Sequence, residues 1–230
     1  MSKTGSNCRS PKVKRSWGRY YALDDRDGNF MMARPTTYLP VAARYWNSRW
    51  MGDQGSTPHC VGFAWAGWLD APPVKHFLIP EGIYSFAQTQ DEWEGIEYDG
   101  TSVRGAAKAL ASLGVIKKYR WAADPESVAL HILETGPVVI GVNWYTGMSY
   151  PEKVGRESVM RVNGRRLGGH AVLIDGVNTQ REVFRVKNSW GKSWGTSGHA
   201  MLGIEDLRRL LNEDGEACVG VDVIPRADSA

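Results

Sequence analysis

The chain has little cysteine, little net charge and no long apolar run, and each shortage excludes something. Three cysteines occur in 230 residues, at Cys8, Cys60 and Cys218, too few for a disulfide-stapled scaffold. No apolar run is long enough to cross a bilayer. The opening residues are basic, but no apolar segment follows them, so no secretory signal is read there. The acceptor pattern N-x-S/T is absent, in keeping with a protein that is not secreted. A formal charge of +3 is too small to argue for nucleic acid. There is no internal repeat and no low-complexity linker. His76, His131 and His199 stand at no metal-ligand spacing with cysteine or carboxylates, so neither a metal nor another cofactor is expected. Gly191-Lys192-Ser193 resembles the end of a phosphate loop, but Val186 stands where its first glycine belongs, and nucleotide binding is rejected.

What is present is an ordinary globular composition, 42% hydrophobic and 23% charged. The length suits one domain with two lobes, or two small domains. Residues 1–20 carry six Lys or Arg and no acidic residue. They read as a solvated arm; the alternatives are an anchor for an acidic partner or a short pro-like segment. The acidic cluster Asp91, Glu92 and Glu94 reads as a solvated loop, or else as a cleft rim that prefers basic substrates.

Residues 53–67, DQGSTPHCVGFAWAG, organise the rest. A turn-prone run ends at Pro58, which favours a helix start, and apolar residues follow. This predicts Cys60 in the first turn of a buried helix. A helix N-terminus carries partial positive charge and free N–H groups, and both favour the thiolate. Alone, such a cysteine reads as a small buried hydrophobe. Two later stretches supply partners. GGHAVLIDGV puts His170 at the start of a buried strand, and RVKNSWGKSWG puts Asn188 at the end of the next. A thiol, a base and a group to orient the base are the elements of nucleophilic catalysis.

Helices are predicted over 80–89, over 103–113 with Thr101 or Ser102 as cap, over 125–134 and over 205–211. Pro72 and Pro73 stop the Cys60 helix. Strands are predicted over 137–143, 171–175, 183–186 and 200–204. A hairpin joins 159–162 to 165 onward through Asn163-Gly164. Helices in one half and strands in the other make an α+β protein.

Three blocks together resemble the papain-like cysteine peptidases. They are Q-G-x-x-x-x-C (Gln54, Gly55, Cys60), G-H-A-V-L-I-x-G (residues 169–176) and K-N-S-W-G-x-x-W-G (residues 187–195), in the family's order. DDRDGNF, residues 24–30, resembles a short element preceding the core in bacterial members, and YDGTSVR onward resembles their equivalent helix. The resemblance implies a helical lobe over about 53–130 and an antiparallel β-barrel-like lobe over about 131–230, with the active site in the cleft between them. Residues 1–35 form a basic extension to a catalytic domain over 36–230. Residues 38–50 resemble the strand that crosses between the lobes.

The resemblance further implies that Cys60 attacks a peptide carbonyl to form a thioester. His170 serves as base and acid, Asn188 orients it, and Gln54 with the Cys60 N–H stabilises the oxyanion. Gly169 and Trp194 line the substrate cleft, and Trp190 shields the His170–Asn188 bond. The thiol is expected well below neutrality. A non-catalytic binding module and an acyl-transfer enzyme (peptide ligase or deamidase) are the alternatives. Thr57 replaces the family's cysteine three positions before the nucleophile, leaving Cys8 to Cys218 as the one disulfide to consider. His59 stands where the family has a small serine, and its side chain is expected to point away from Cys60. No zymogen with a helical prodomain is expected. The partner is a polypeptide substrate, with no nucleic acid and no membrane, and the chain is expected to be a monomer. A cytoplasmic or virion-associated location follows. Side-chain specificity stays open.

Overall fold

A computed structural model describes residues 15–22, 24–33, 35, 39–91, 93 and 98–223. Strands β1 (Arg19–Tyr20) and β2 (Ala43–Tyr45) precede helices α1 (Cys60–Asp70) and α2 (Pro80–Gln88). Strand β3 (Thr101–Ser102), helix α3 (Val103–Ser112), strand β4 (Ile116–Ala122) and helix α4 (Pro125–Glu134) follow. Then come β5 (Val138–Tyr145), the single turn α5 (Thr146–Ser149), β6 (Glu152–Val154) and β7 (Glu157–Val159). The chain ends on β8 (Arg166–Asn178), β9 (Val183–Lys187), β10 (His199–Gly203), α6 (Ile204–Asn212) and β11 (Glu216–Val223). The fold is α+β.

Helix α1 is apolar on all sides, and every residue from Cys60 to Leu69 is buried, as expected of a helix enclosed by the core. Its polar indole groups are paired: Trp65 Nε1 donates to the Val103 carbonyl and Trp68 Nε1 to the Pro137 carbonyl. The helix lies against β8 and β5. Strand β8 is the spine of the sheet. It pairs with β5, β9 and β2, and residues 170–177 are buried throughout. A strand covered on both faces reads as one apolar run rather than an alternation, which is why its sequence signal was clear.

The sheet runs in the order β4-β11-β5-β8-β9-β10-β7-β6 and is antiparallel except between β10 and β7. It is a mixed sheet that does not close into a barrel. Strands β4 and β11, which pair along most of their length, were not anticipated; Lys117 and Lys118 in β4 face solvent and hide its pattern. The expected hairpin through Asn163-Gly164 does not form. The tight hairpin is β6–β7, turning at Gly155-Arg156. Val159 pairs with Met201 of β10 instead, while the Asn163 and Arg165 carbonyls accept from Gly147 and Thr146. Strand pairing, a non-local choice, overrode the turn signal.

Ser102 caps α3 by accepting from the Gly105 N–H at 2.7 Å. Asp91 accepts from the hydroxyls of Ser102 at 2.6 Å and Thr101 at 2.5 Å, so it braces the cap rather than facing water. Glu92 and Glu94 lie outside the described residues. Arg104 on α3 is buried and pairs with Asp27 and Asp24, which docks the short 3-10 turn Asp25–Phe30 onto the helix. Cys218 is a buried free thiol, and Cys8 lies outside the described residues. Among the described residues no metal-binding cluster occurs, and no helix is long and apolar enough to cross a membrane.

Candidate active site

Cys60 is the first residue of α1, preceded by His59, whose side chain makes no capping bond. The His59 ring lies tilted against Tyr84 with centroids 4.1 Å apart. Burial lowers its pKa. The Cys60 side chain is fully buried, and the backbone N–H groups of Ala171, Gly18 and Val61 approach its sulfur. Ala171 follows His170 on β8, so the strand that carries His170 passes the sulfur.

The imidazole has a defined tautomer. Asn188 Oδ1 accepts from the Ser189 backbone N–H at 2.8 Å, which fixes the amide's orientation. That oxygen lies 2.9 Å from His170 Nε2, so Nε2 carries the proton and donates. His170 Nδ1 is buried and has no partner; it holds the free lone pair of the neutral ring. Three indoles box the ring: Trp190 at 5.0 Å tilted over it, Trp144 edge-on at 4.7 Å and Trp17 edge-on at 5.8 Å. Trp190 therefore lies tilted over the ring. Trp194 lies one layer back, 6.2 Å from Trp190 and 6.4 Å from Trp144, within the core.

Gln54 sits in a turn whose register is set by bridging residues 52–54 to 189–191. Its Oε1 accepts from Ser189 Oγ at 2.7 Å and its Nε2 donates to the Thr57 carbonyl at 2.7 Å. One Nε2 hydrogen remains uncommitted. Lys187 of the same block is buried, its ammonium held by Ser48 Oγ and the Trp50 carbonyl; this ties the 48–50 segment to β9.

Residues 15–22 do not form the solvated arm expected of them. Gly18 and Arg19 are buried, and Trp17 is half-buried against His170 and Trp190. The Gly18 carbonyl accepts from the Thr101 N–H at 2.8 Å, and β1 pairs with β3. Arg15 donates to Asp53 at 2.8 Å and lies over the Trp190 ring at 5.2 Å. Gly169 faces this segment so closely that a Cβ there would stand 2.1 Å from the Arg19 carbonyl oxygen. The segment seals the sulfur from water.

That seal reverses the expected electrostatics. Burial is the largest influence on the Cys60 thiol and raises its pKa, against the lowering effect of the surrounding N–H groups. Burial likewise holds His170 down to about 4. With the segment in place, thiol and imidazole are both neutral.

His131, on α4 beside a cavity of about 420 Å³, is also held down to about 4 by burial. Both imidazoles have folded values below the ordinary 6.5. The unfolded chain therefore binds more protons between those values, and stability falls as pH drops from about 6.5 toward about 4. Each ring contributes on the order of 3 kcal/mol across that window. The thermal midpoint is expected to fall on acidification through this range, and less steeply in a His131→Leu chain. Equal slopes in the two chains would remove His131 as a cause.

The model of the papain family cysteine proteases matches residues 79–209. The chain belongs to the papain family. The match includes His170 and Asn188; Gln54 and Cys60 lie before it. Mouse cathepsin K is 31% identical over 124 residues, covering 49% of this papain-family chain and 35% of its own length. Cathepsin B-like CP3 of Giardia intestinalis is 27% identical over 160 residues, 65% of this chain and 48% of its own. A peptidase C1-like protein of Acanthamoeba polyphaga mimivirus is 21% identical over 192 residues, 64% of this chain and 62% of its own. The chain thus spans less than two thirds of the length of these relatives. In architecture it is similar to xylellain, a cysteine protease from Xylella fastidiosa, with a TM-score of 0.69 at 18% identity, covering 94% of this chain and 100% of that one. Digestive procathepsin L2 from Tenebrio molitor gives 0.67 at 16% identity, covering 92% and 80%.

Sequence reasoning missed Trp144, Trp17 and Arg19. Trp144 stands opposite Gly168 across β5 and β8, on the face His170 uses. Its place after the apolar run 137–143 was a usable signal. No local signal marked the rest.

Proposed function

We propose that this chain is a cysteine peptidase cleaving peptide bonds through a thioester on Cys60. The observation that carries the reading is the bare, buried Nδ1 of His170, with Nε2 anchored on Asn188 and the next residue's N–H at the Cys60 sulfur. A base whose far nitrogen is fixed by an acceptor has one free lone pair to offer.

In the reaction, Nδ1 takes the thiol proton and the sulfur attacks the carbonyl carbon. The carbonyl electron pair moves to oxygen, which the Cys60 N–H and the uncommitted Gln54 Nε2 hydrogen stabilise. The tetrahedral species collapses, the leaving amine takes the proton from His170, and water then hydrolyses the thioester with His170 as base. Asn188 holds the ring's orientation throughout, and the indoles of Trp144 and Trp190 keep water from the His170–Asn188 bond. Gly169 lines the path of the substrate backbone. Residues 15–22 must leave before a peptide can enter. Their departure hydrates the site and lets thiolate and imidazolium form, which burial otherwise opposes.

The test is cleavage of a mixed peptide library by a Trp17→Ala chain, with Trp17→Ala/Cys60→Ala as control. Cleavage is expected from the first and none from the second. Cleavage that survives loss of Cys60 removes the reading. Added amine that appears in the products in place of water would favour acyl transfer instead.

A further inference from the structure

Helix α4 presents two faces, and the protein covers one of them. Val128, Ala129 and Ile132 are buried in the core. Ser127, Leu130, His131 and Glu134 follow the i, i+3, i+4, i+7 spacing of one helix stripe. They line a cavity of about 420 Å³ instead. None of Gln54, Cys60, His170 and Asn188 borders it. We propose that this cavity binds a small neutral phenol, an aromatic ring whose single hydroxyl meets Ser127 and His131. The proposal is independent of the peptidase reading.

The cavity holds polar groups that the fold leaves unpaired. Ser127 is 2% exposed, and its Oγ is buried without a hydrogen-bond partner. A buried hydroxyl in that state costs stability and calls for a partner. His131 borders the same space. Burial is the one influence on its ring, with no hydrogen bond or nearby charge against it, and holds it down to about 4. The ring is therefore neutral at ordinary pH, with one N–H and one lone pair to offer. Ser127 and His131 are four positions apart on α4, so they are neighbours on one face. One oxygen can serve both. A hydroxyl donates to the imidazole lone pair and accepts from Ser127 at the same time.

The ligand's charge follows from the same groups. Neither buried group is charged, so a carboxylate or ammonium head would lose its water and meet no opposite charge. The charged residues of the lining are Arg120, Glu134 and Asp222, and all three are exposed. Asp222 is paired with Lys118 at 3.5 Å. Both signs stand at the rim, which selects neither anion nor cation.

The remaining walls are apolar. Trp68 Nε1 is committed to the Pro137 carbonyl at 3.0 Å, which leaves the cavity its ring. Val74, Leu130, Val219 and Val221 complete the lining. Aromatic rings pack well against such a wall. The volume lies in the range of small-molecule sites, where apolar walls supply affinity and a few polar groups fix orientation.

The full chain is titrated by calorimetry with 4-ethylphenol, ethylbenzene and 4-ethylbenzoate, which share a frame and differ in the head group. A Kd on the order of 100 µM is expected for 4-ethylphenol. Ethylbenzene is expected to bind about tenfold more weakly, and the benzoate more weakly still. Ser127→Ala, which removes an unpaired hydroxyl at little cost to the fold, is expected to bring 4-ethylphenol toward ethylbenzene and leave ethylbenzene unchanged. Leu130→Trp, which fills the cavity, is expected to abolish binding of both. No saturable binding of 4-ethylphenol at about twenty times that concentration overturns the proposal. So does an equal affinity for ethylbenzene, or a higher one for the benzoate; these comparisons need no variant to fold. Binding that survives Leu130→Trp lies elsewhere and overturns it too. Binding that appears only after residues 224–230 are deleted has the same force, because the chain then supplies its own occupant.

Discussion

A Trp17→Ala chain is expected to label at Cys60 with iodoacetamide, and to cleave peptides, roughly 30- to 150-fold faster than the natural chain. The figure follows from the half-buried indole, whose removal weakens docking of residues 15–22 by about 2–3 kcal/mol. If the docked form dominates, the open population rises by the same factor until it saturates. Arg15 adds little, because its ion pair with Asp53 is at the surface, with 52% of the Asp53 side chain exposed. An Arg15→Ala chain is therefore expected to change the labelling rate by only a few-fold at most. Equal labelling rates in the Trp17→Ala and natural chains would mean that this segment does not gate the sulfur.

The second large effect concerns His170. On the Trp17→Ala background, His170→Ala is expected to lower peptide turnover by roughly 10²–10⁴-fold, the usual worth of a general acid–base. Loss of rate alone would not separate chemistry from packing, because three indoles surround the ring. The pH profile of Cys60 alkylation does separate them. With His170 present, thiolate reactivity should persist below neutrality in the opened chain. Without it, the profile should move up toward the ordinary thiol value of about 8.5. An unmoved profile would leave His170 a packing residue and take the proton-transfer scheme with it.

These expectations divide along a line that runs through the sequence reading itself. The helix of Cys60, the buried strand of His170 and the position of Asn188 were legible because each rests on a local pattern. A turn before an apolar helix, a β-branched run and a block of spaced tryptophans all report on their own segments. The cap at Ser102 was legible for the same reason. The hairpin at Asn163-Gly164 was not, although its turn residues were right. Its flanks found other partners, Val159 on β10 and Arg165 at α5. Strand β11, with Glu216, the buried partner of Arg19, carries no alternating signal of its own.

Residues 15–22 show the same limit most clearly. Their composition, basic and without acids, gives a solvated arm when read alone. In the fold, Arg19 meets a buried carboxylate 197 positions away, and Trp17 meets His170 and Trp190. The raised thiol pKa and lowered imidazole pKa follow from burial, to which this docked segment contributes together with α1 and the indoles of Trp144 and Trp190.

The order of residues alone was enough to choose the family and to nominate the four groups of the proposed chemistry, because short-range spacing and periodicity specify helix starts, strands and the motifs on them. Only the folded chain decided how deeply the sulfur and the imidazole are buried. Solvation of the sulfur and pairing of Glu216 depend on contacts between segments far apart in sequence, and burial is a property of the assembled whole.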